Sequence, residues 1–169
     1  MSLNKEVQLD EVMGIILERL DAGGTVTFSP NGTSMLPMLR DGEDSVVLKS
    51  AKGKKLHLFD VALYRRDNGQ YVLHRVIDFE RNGDYVMCGD NQFARERGIR
   101  DNQILAVMSG FFRKGRSYTT KSMLYRLYTN FWYYSRPLRH SYTYGRNKAS
   151  SWLGARRRNA NRDKNNADD

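Results

Sequence analysis

The sequence predicts an α+β protein that is mostly β, a body of short antiparallel strands with a helix before it and a helical, basic tail after it. Three observations carry this. Between Thr25 and Phe112, short runs rich in Val, Ile, Leu, Tyr and Phe alternate with turn residues. On either side of that stretch, apolar residues recur at helical spacing instead. Charge is also split along the 169 residues: 1–112 hold 14 lysines and arginines against 16 acids, whereas 113–169 hold 14 against three aspartates. A nearly neutral body therefore precedes a cationic tail.

The elements follow in order. Leu9, Val12, Met13, Ile16, Leu17 and Leu20 form one apolar stripe, so residues 6–22 are expected to be an amphipathic helix that packs on the body and ends at Gly23-Gly24. Strands are expected at Thr25–Phe28, Ser45–Leu48, Phe59–Arg65, Gln70–Asp78, Asp84–Cys88 and Ile104–Phe112. Between them lie Asn31-Gly32, Asp41-Gly42, Asp67-Asn68-Gly69, Asn82-Gly83 and Gly89-Asp90-Asn91, all turn chemistry. The turn at Arg66–Gly69 predicts a hairpin of Val61–Arg65 with Gln70–Ile77. Beyond Gly115 no further strand is expected. Leu124, Leu127, Tyr128, Phe131 and Trp132 return to helical spacing, with a break at Pro137 and a frayed end rich in Arg, Asn, Ser and Gly. Three regions result: a helix over 1–24, a β domain over 25–115 and a tail over 116–169.

Composition narrows the function. With 40% hydrophobic and 11% aromatic residues the chain can bury a core. No run approaches the roughly 20 apolar residues that span a bilayer, and the start carries three acids before Val12, unlike a signal peptide. A single cysteine, Cys88, permits no internal disulfide, and three histidines make a structural zinc site a poor expectation. No metal or organic cofactor is implied. The expected location is the cytoplasm, with the tail able to bring the chain to the inner membrane face.

Three segments of the β body carry residues suited to chemistry. They are Gly32-Thr33-Ser34-Met35-Leu36-Pro37, then Asp60–Tyr64 running on to Leu73-His74-Arg75-Val76-Ile77, and finally Gly89-Asp90-Asn91. Singly each is weak, because a serine in a turn or a histidine in a strand is ordinary. A serine hydroxyl becomes a nucleophile only when a base takes its proton, and neutral histidine can accept that proton and pass it to a leaving amine. Strand alternation puts His74 on one face with Val72 and Val76, and Arg75 on the other. No lysine occurs between Lys55 and Lys114, so a serine–lysine pair has no candidate there. His57 is the rival base, in a charged, loop-like stretch.

In order and spacing these segments resemble the serine peptidase superfamily of type I signal peptidases and self-cleaving LexA-like repressors. Ser34-Met35-Leu36-Pro37 is similar to the S-M-x-P box, Asp60–Tyr64 to the strand G-D-[IV]-[IV]-x-[FY], and Gly89-Asp90-Asn91 to the G-D-N box. Leu73–Ile77 resembles the H-R-V-I box of the endoplasmic-reticulum and archaeal type, in which histidine replaces lysine. The likeness covers about residues 25–112. It implies a signal-peptidase/LexA-like β body that hydrolyses peptide bonds through an acyl-enzyme on Ser34, with His74 as general base. The family's acid in or after the G-D-N box corresponds to Asp90 or Glu96, the latter within Arg95-Glu96-Arg97; Asp101 reads as a loop acid. The Ser34 N–H is the first oxyanion donor, and a backbone group or Thr33 the second, since Gly32 stands where signal peptidases often carry a hydroxyl. The chain departs from signal peptidases in having a polar-flanked helix before the serine box, and from the repressors in having no DNA-binding domain there. The substrate is a peptide or protein.

A non-catalytic binding module on a peptidase-like body, tethered by its basic tail, is the alternative function. Residues 121–158 are the candidate surface, with aromatics (Tyr125, Tyr128, Trp132) and arginines (Arg126, Arg136, Arg139) suited to an acidic membrane, and less to nucleic acid. A third reading makes the aromatic stripe simply a packing face.

Overall fold

The computed structural model describes residues 3–141, with side chains from Val12 onward, so Leu9 and the basic run Arg156–Arg158 lie outside the described residues. Helix α1 spans Leu3–Asp21, followed by β1 (Thr25–Phe28), β2 (Ser45–Ser50), β3 (Val61–Arg65), β4 (Tyr71–Phe79), β5 (Tyr85–Cys88), β6 (Glu96–Ile99), β7 (Ile104–Arg113) and β8 (Arg116–Thr119). Helix α2 spans Met123–Tyr134, and residues 136–141 are helical again after a turn at Ser135. The break precedes Pro137, whose missing N–H suits the first turn of a new helix. The chain divides into one compact unit over Met1–Asn130 and a second over Phe131–Asp169.

The eight strands of the described residues join one antiparallel sheet ordered β1-β2-β7-β3-β4-β5-β6, with β8 also on β7. The protein is thus mostly antiparallel β with helices, an α+β class. The β3–β4 hairpin pairs Arg65 with Tyr71 and is closed by Arg66 N–H to Gln70 O at 2.9 Å. Two strands depart from the sequence reading. β8 continues past Gly115 and extends the β region beyond its expected boundary, and β6 forms within Glu96–Ile99. Both are short and polar, held by pairing with β7 and β5, so they lack the apolar alternation that marks a strand in sequence.

Both faces of the central strands are covered. Val61 and Leu63 of β3 join one buried cluster with Met13, Ile16 and Leu20 of α1, while Ala62 and Tyr64 join the other with Val76, Tyr85 and Met87. β3 is accordingly buried at four successive positions. In α1 the stripe is narrower than its periodicity implies: Val12 is 52% exposed. No helix among the described residues is long and apolar enough to cross a membrane.

Candidate functional site

β4 sends His74 and Arg75 to opposite faces, as strand geometry requires. His74 stands opposite Ala62, whose small side chain leaves room for the ring, and is 2% exposed. Its Nδ1 lies 3.3 Å from both the Tyr64 hydroxyl and Glu96 Oε1. Tyr64 donates to Glu96 Oε2 at 2.8 Å, Arg66 Nε donates to the same oxygen at 2.8 Å, and Arg66 Nη2 reaches Oε1. An ionised carboxylate accepts hydrogen bonds and cannot donate. With Glu96 ionised, the neutral ring meets it by carrying its proton on Nδ1, which leaves the lone pair on Nε2.

The electrostatics agree with that assignment. Burial pushes the His74 pKa below its ordinary value of 6.5; Glu96 opposes the shift and Arg66 reinforces it. Burial alone would raise the Glu96 carboxyl, but hydrogen bonds from Arg66 and Tyr64 outweigh it and hold the group below its ordinary range. The result is a neutral imidazole beside an ionised acid at neutral pH.

Ser34 sits in the β1–β2 connection, half-buried. The turn is closed by Gly32 N–H to Asp41 Oδ1 at 3.0 Å and Leu36 N–H to Thr33 O at 3.2 Å, and contains a cis Leu36–Pro37 bond. Gly32 adopts φ 97°, a region that favours glycine, which accounts for the absence of a hydroxyl residue there. The Gly89–Asn91 turn grips the serine turn directly. Asn91 N–H donates to Ser34 O at 2.8 Å and Asn91 Nδ2 to Thr33 O at 3.2 Å. A Cβ on Gly89 would lie 2.6 Å from that same Ser34 oxygen, so only glycine permits the approach.

Ser34 and His74 line one cavity of about 550 Å³, walled by Val12, Met13 and Ile16 of α1 together with Phe28, Met35, Leu39, Leu63 and Leu73. The two side chains are not hydrogen-bonded to each other, and among the described residues the Ser34 hydroxyl and N–H make no hydrogen bond. The Ser34 hydroxyl and N–H are thus available to a ligand in this cavity, whereas the His74 ring is buried at its wall. Val12, exposed on its helix, contributes here to the cavity wall.

The acids sort clearly. Asp90, one of two candidates to support His74, instead receives Arg75 Nε and Nη2, both at 2.7 Å, with the two side chains 3% exposed. Its charge favours imidazolium at a distance. Arg75 also donates to Phe59 O and Tyr125 OH, each at 2.9 Å. Asp101 is engaged by Lys55 and by the Tyr85 hydroxyl. The rival base His57 is exposed, 3.6 Å from Asp60, and lines a different cavity. Thr33 is exposed at the turn.

Sequence reasoning missed Tyr64 and Arg66 as partners of Glu96. The available signal was the parity of β3, which puts Tyr64 on the face of Ala62 and hence of His74, with Arg66 just beyond the strand end. Comparison with protein families and with curated proteins finds no match to this chain.

Proposed function

We propose that the chain is a serine peptidase with a signal-peptidase/LexA-like body. The single observation that carries this is the shared cavity: Ser34 and His74 line it together, and the His74 ring is backed on Nδ1 by Glu96. In this reading a peptide carbonyl enters beside Ser34. Side-chain rotation brings the hydroxyl onto His74 Nε2, since apo sites are commonly looser than the reacting complex. His74 takes the proton as Ser34 Oγ bonds to the carbonyl carbon. The oxyanion is met by the Ser34 N–H. His74 then protonates the leaving amine, and the same steps with water release the acyl group from Ser34. Glu96 steadies the transient imidazolium, while Arg66 and Tyr64 are positioning residues that act through Glu96. Asp90, held by Arg75, anchors the strand and turn that carry the site.

The lack of a hydrogen bond between Ser34 and His74 is the observation that favours the other reading, a binding module with an inactive site. An active-site acylating reagent separates the two. Mass spectrometry should locate the adduct on Ser34, with labelling lost in His74→Ala and unchanged in His57→Ala. Ser34→Ala and His74→Ala should each abolish cleavage of a peptide library, and the double variant should be no worse than either, because the residues act as a unit. Adducts elsewhere, or cleavage surviving Ser34→Ala, would reject the assignment.

A further inference from the structure

A second cavity of the Met1–Asn130 unit, about 780 Å³, is bounded by β2, the β2–β3 connection and the start of α2. Its charged lining is one-sided: Lys49, Lys54, Lys55, Lys121 and Arg126 against Asp60. Lys55 is paired with Asp101. The side-chain cations of Lys49, Lys54, Lys121 and Arg126 have no hydrogen bond or ion pair among the described residues. Concave surfaces with uncompensated charge of one sign concentrate counter-ions, so this cavity attracts an anion.

A different observation identifies what kind of anion. Met123, Leu124 and Leu127 of α2 are 76%, 75% and 61% exposed. Tyr125, Tyr128 and Thr129 take the opposite side and face the body, where Arg75 bonds to the Tyr125 hydroxyl. The packing face is therefore already used, and the exposed leucines form a separate apolar arc. Arg126 and Asn130 line the cavity and are the i+3 neighbours of Met123 and Leu127. Cationic cavity and apolar arc thus share a border along one helix. Free phosphate or a nucleic-acid backbone would satisfy the cations and leave the arc in water. A surface that offers phosphates next to hydrocarbon satisfies both.

We propose that this cavity and the adjoining arc of α2 dock on an anionic phospholipid membrane, with headgroup phosphates at Lys54, Lys121 and Arg126 and with Leu124 and Leu127 in the interface. The 14 lysines and arginines of residues 113–169, against three aspartates, add long-range attraction of the same sign.

Co-sedimentation of the full chain with phosphatidylcholine vesicles, with and without phosphatidylserine, across a salt series tests this. Binding should require phosphatidylserine. Combining Lys54→Gln, Lys121→Gln and Arg126→Gln should weaken it on the order of 100-fold, at roughly fivefold per cation. Leu124→Ser with Leu127→Ser should remove the fraction that resists salt, since apolar contact is not screened. Thermal melts should match the parent, because all five residues are exposed. Ser34→Ala should bind as the parent does, so failure of the peptidase reading leaves this result intact. Equal binding to both vesicle types, full binding by the glutamine variant, or release of vesicles by inorganic phosphate would overturn the proposal. So would tighter binding of a single-stranded oligonucleotide through the same cations, or a dimer that the serine variant dissociates.

Discussion

Two arginine–carboxylate pairs lie beside β4, alike in chemistry and opposite in setting. Arg75–Asp90 is sealed in, 3% exposed on both sides, and Arg75 also donates to Phe59 O, Tyr125 OH and Met38 Sδ. Arg66–Glu96 stands at the rim, 32% and 25% exposed, and its carboxylate reaches His74 Nδ1. Burial separates their tasks. The sealed pair has no freedom to exchange partners and joins β4, the Gly89–Asn91 turn and α2. The rim pair keeps a carboxylate oxygen against a titratable ring, where its charge can respond to a proton.

Breaking the sealed pair should give the largest effect. Asp90→Ala leaves a buried guanidinium unpaired and should cost about 3–5 kcal/mol of stability, read as a drop in Tm and in the urea midpoint. Replacing both partners with apolar residues should cost less than Asp90→Ala alone. If Asp90→Ala were neutral, the pair would not anchor the strand and turn.

At the rim the loss should fall on rate instead. On the proposed peptidase reading, Glu96→Gln should slow cleavage on the order of 100-fold, about 2.7 kcal/mol of barrier, while stability changes by about 1 kcal/mol or less. A Glu96→Gln variant that unfolds but cleaves normally when folded would reverse the roles of the two pairs.

The pH profile sharpens the contrast with smaller effects of opposite sign. His74 has its pKa pushed below 6.5 by burial, so the rate should be level through neutral pH and fall only on the acid side of 6.5. Removing the Glu96 charge with Glu96→Gln should move that acid limb to lower pH, because Glu96 favours imidazolium. Arg66→Gln should move it to higher pH, because Arg66 disfavours imidazolium. Parallel shifts in the two variants would exclude opposed effects of Glu96 and Arg66 on His74. Stability follows the same linkage: a histidine depressed in the folded state leaves stability unchanged above its unfolded pKa and erodes it as pH falls below. His74→Gln should remove that part of the acid sensitivity.

Local pattern carried much of this architecture. Alternation in Leu73–Ile77 was enough to place His74 and Arg75 on opposite faces, because side-chain direction in a strand depends only on parity. The β3–β4 turn and the end of α1 at Gly23 were equally legible, since turn and cap residues act over a few positions. β6 and β8 were not legible, because their backbones are held by partners distant in sequence. The apolar period of α2 announced a helix yet not which side is covered. That choice falls to Tyr125, which Arg75 engages from a distant strand, and it leaves Leu124 and Leu127 exposed.

The sequence by itself determined the residue types, the order of the chemical segments and the parity of each strand, all properties of neighbouring positions. Tertiary structure alone decided which of the two acids meets His74. Asp90 and Glu96 are equivalent candidates on the chain, and their separation depends on which arginine each one meets after folding. Arg75 points into the core and takes Asp90, whereas Arg66 follows β3 at the cavity rim and holds Glu96 against His74. Charge pairing acts through space and burial sets its strength, so no local reading of the chain could have made that assignment.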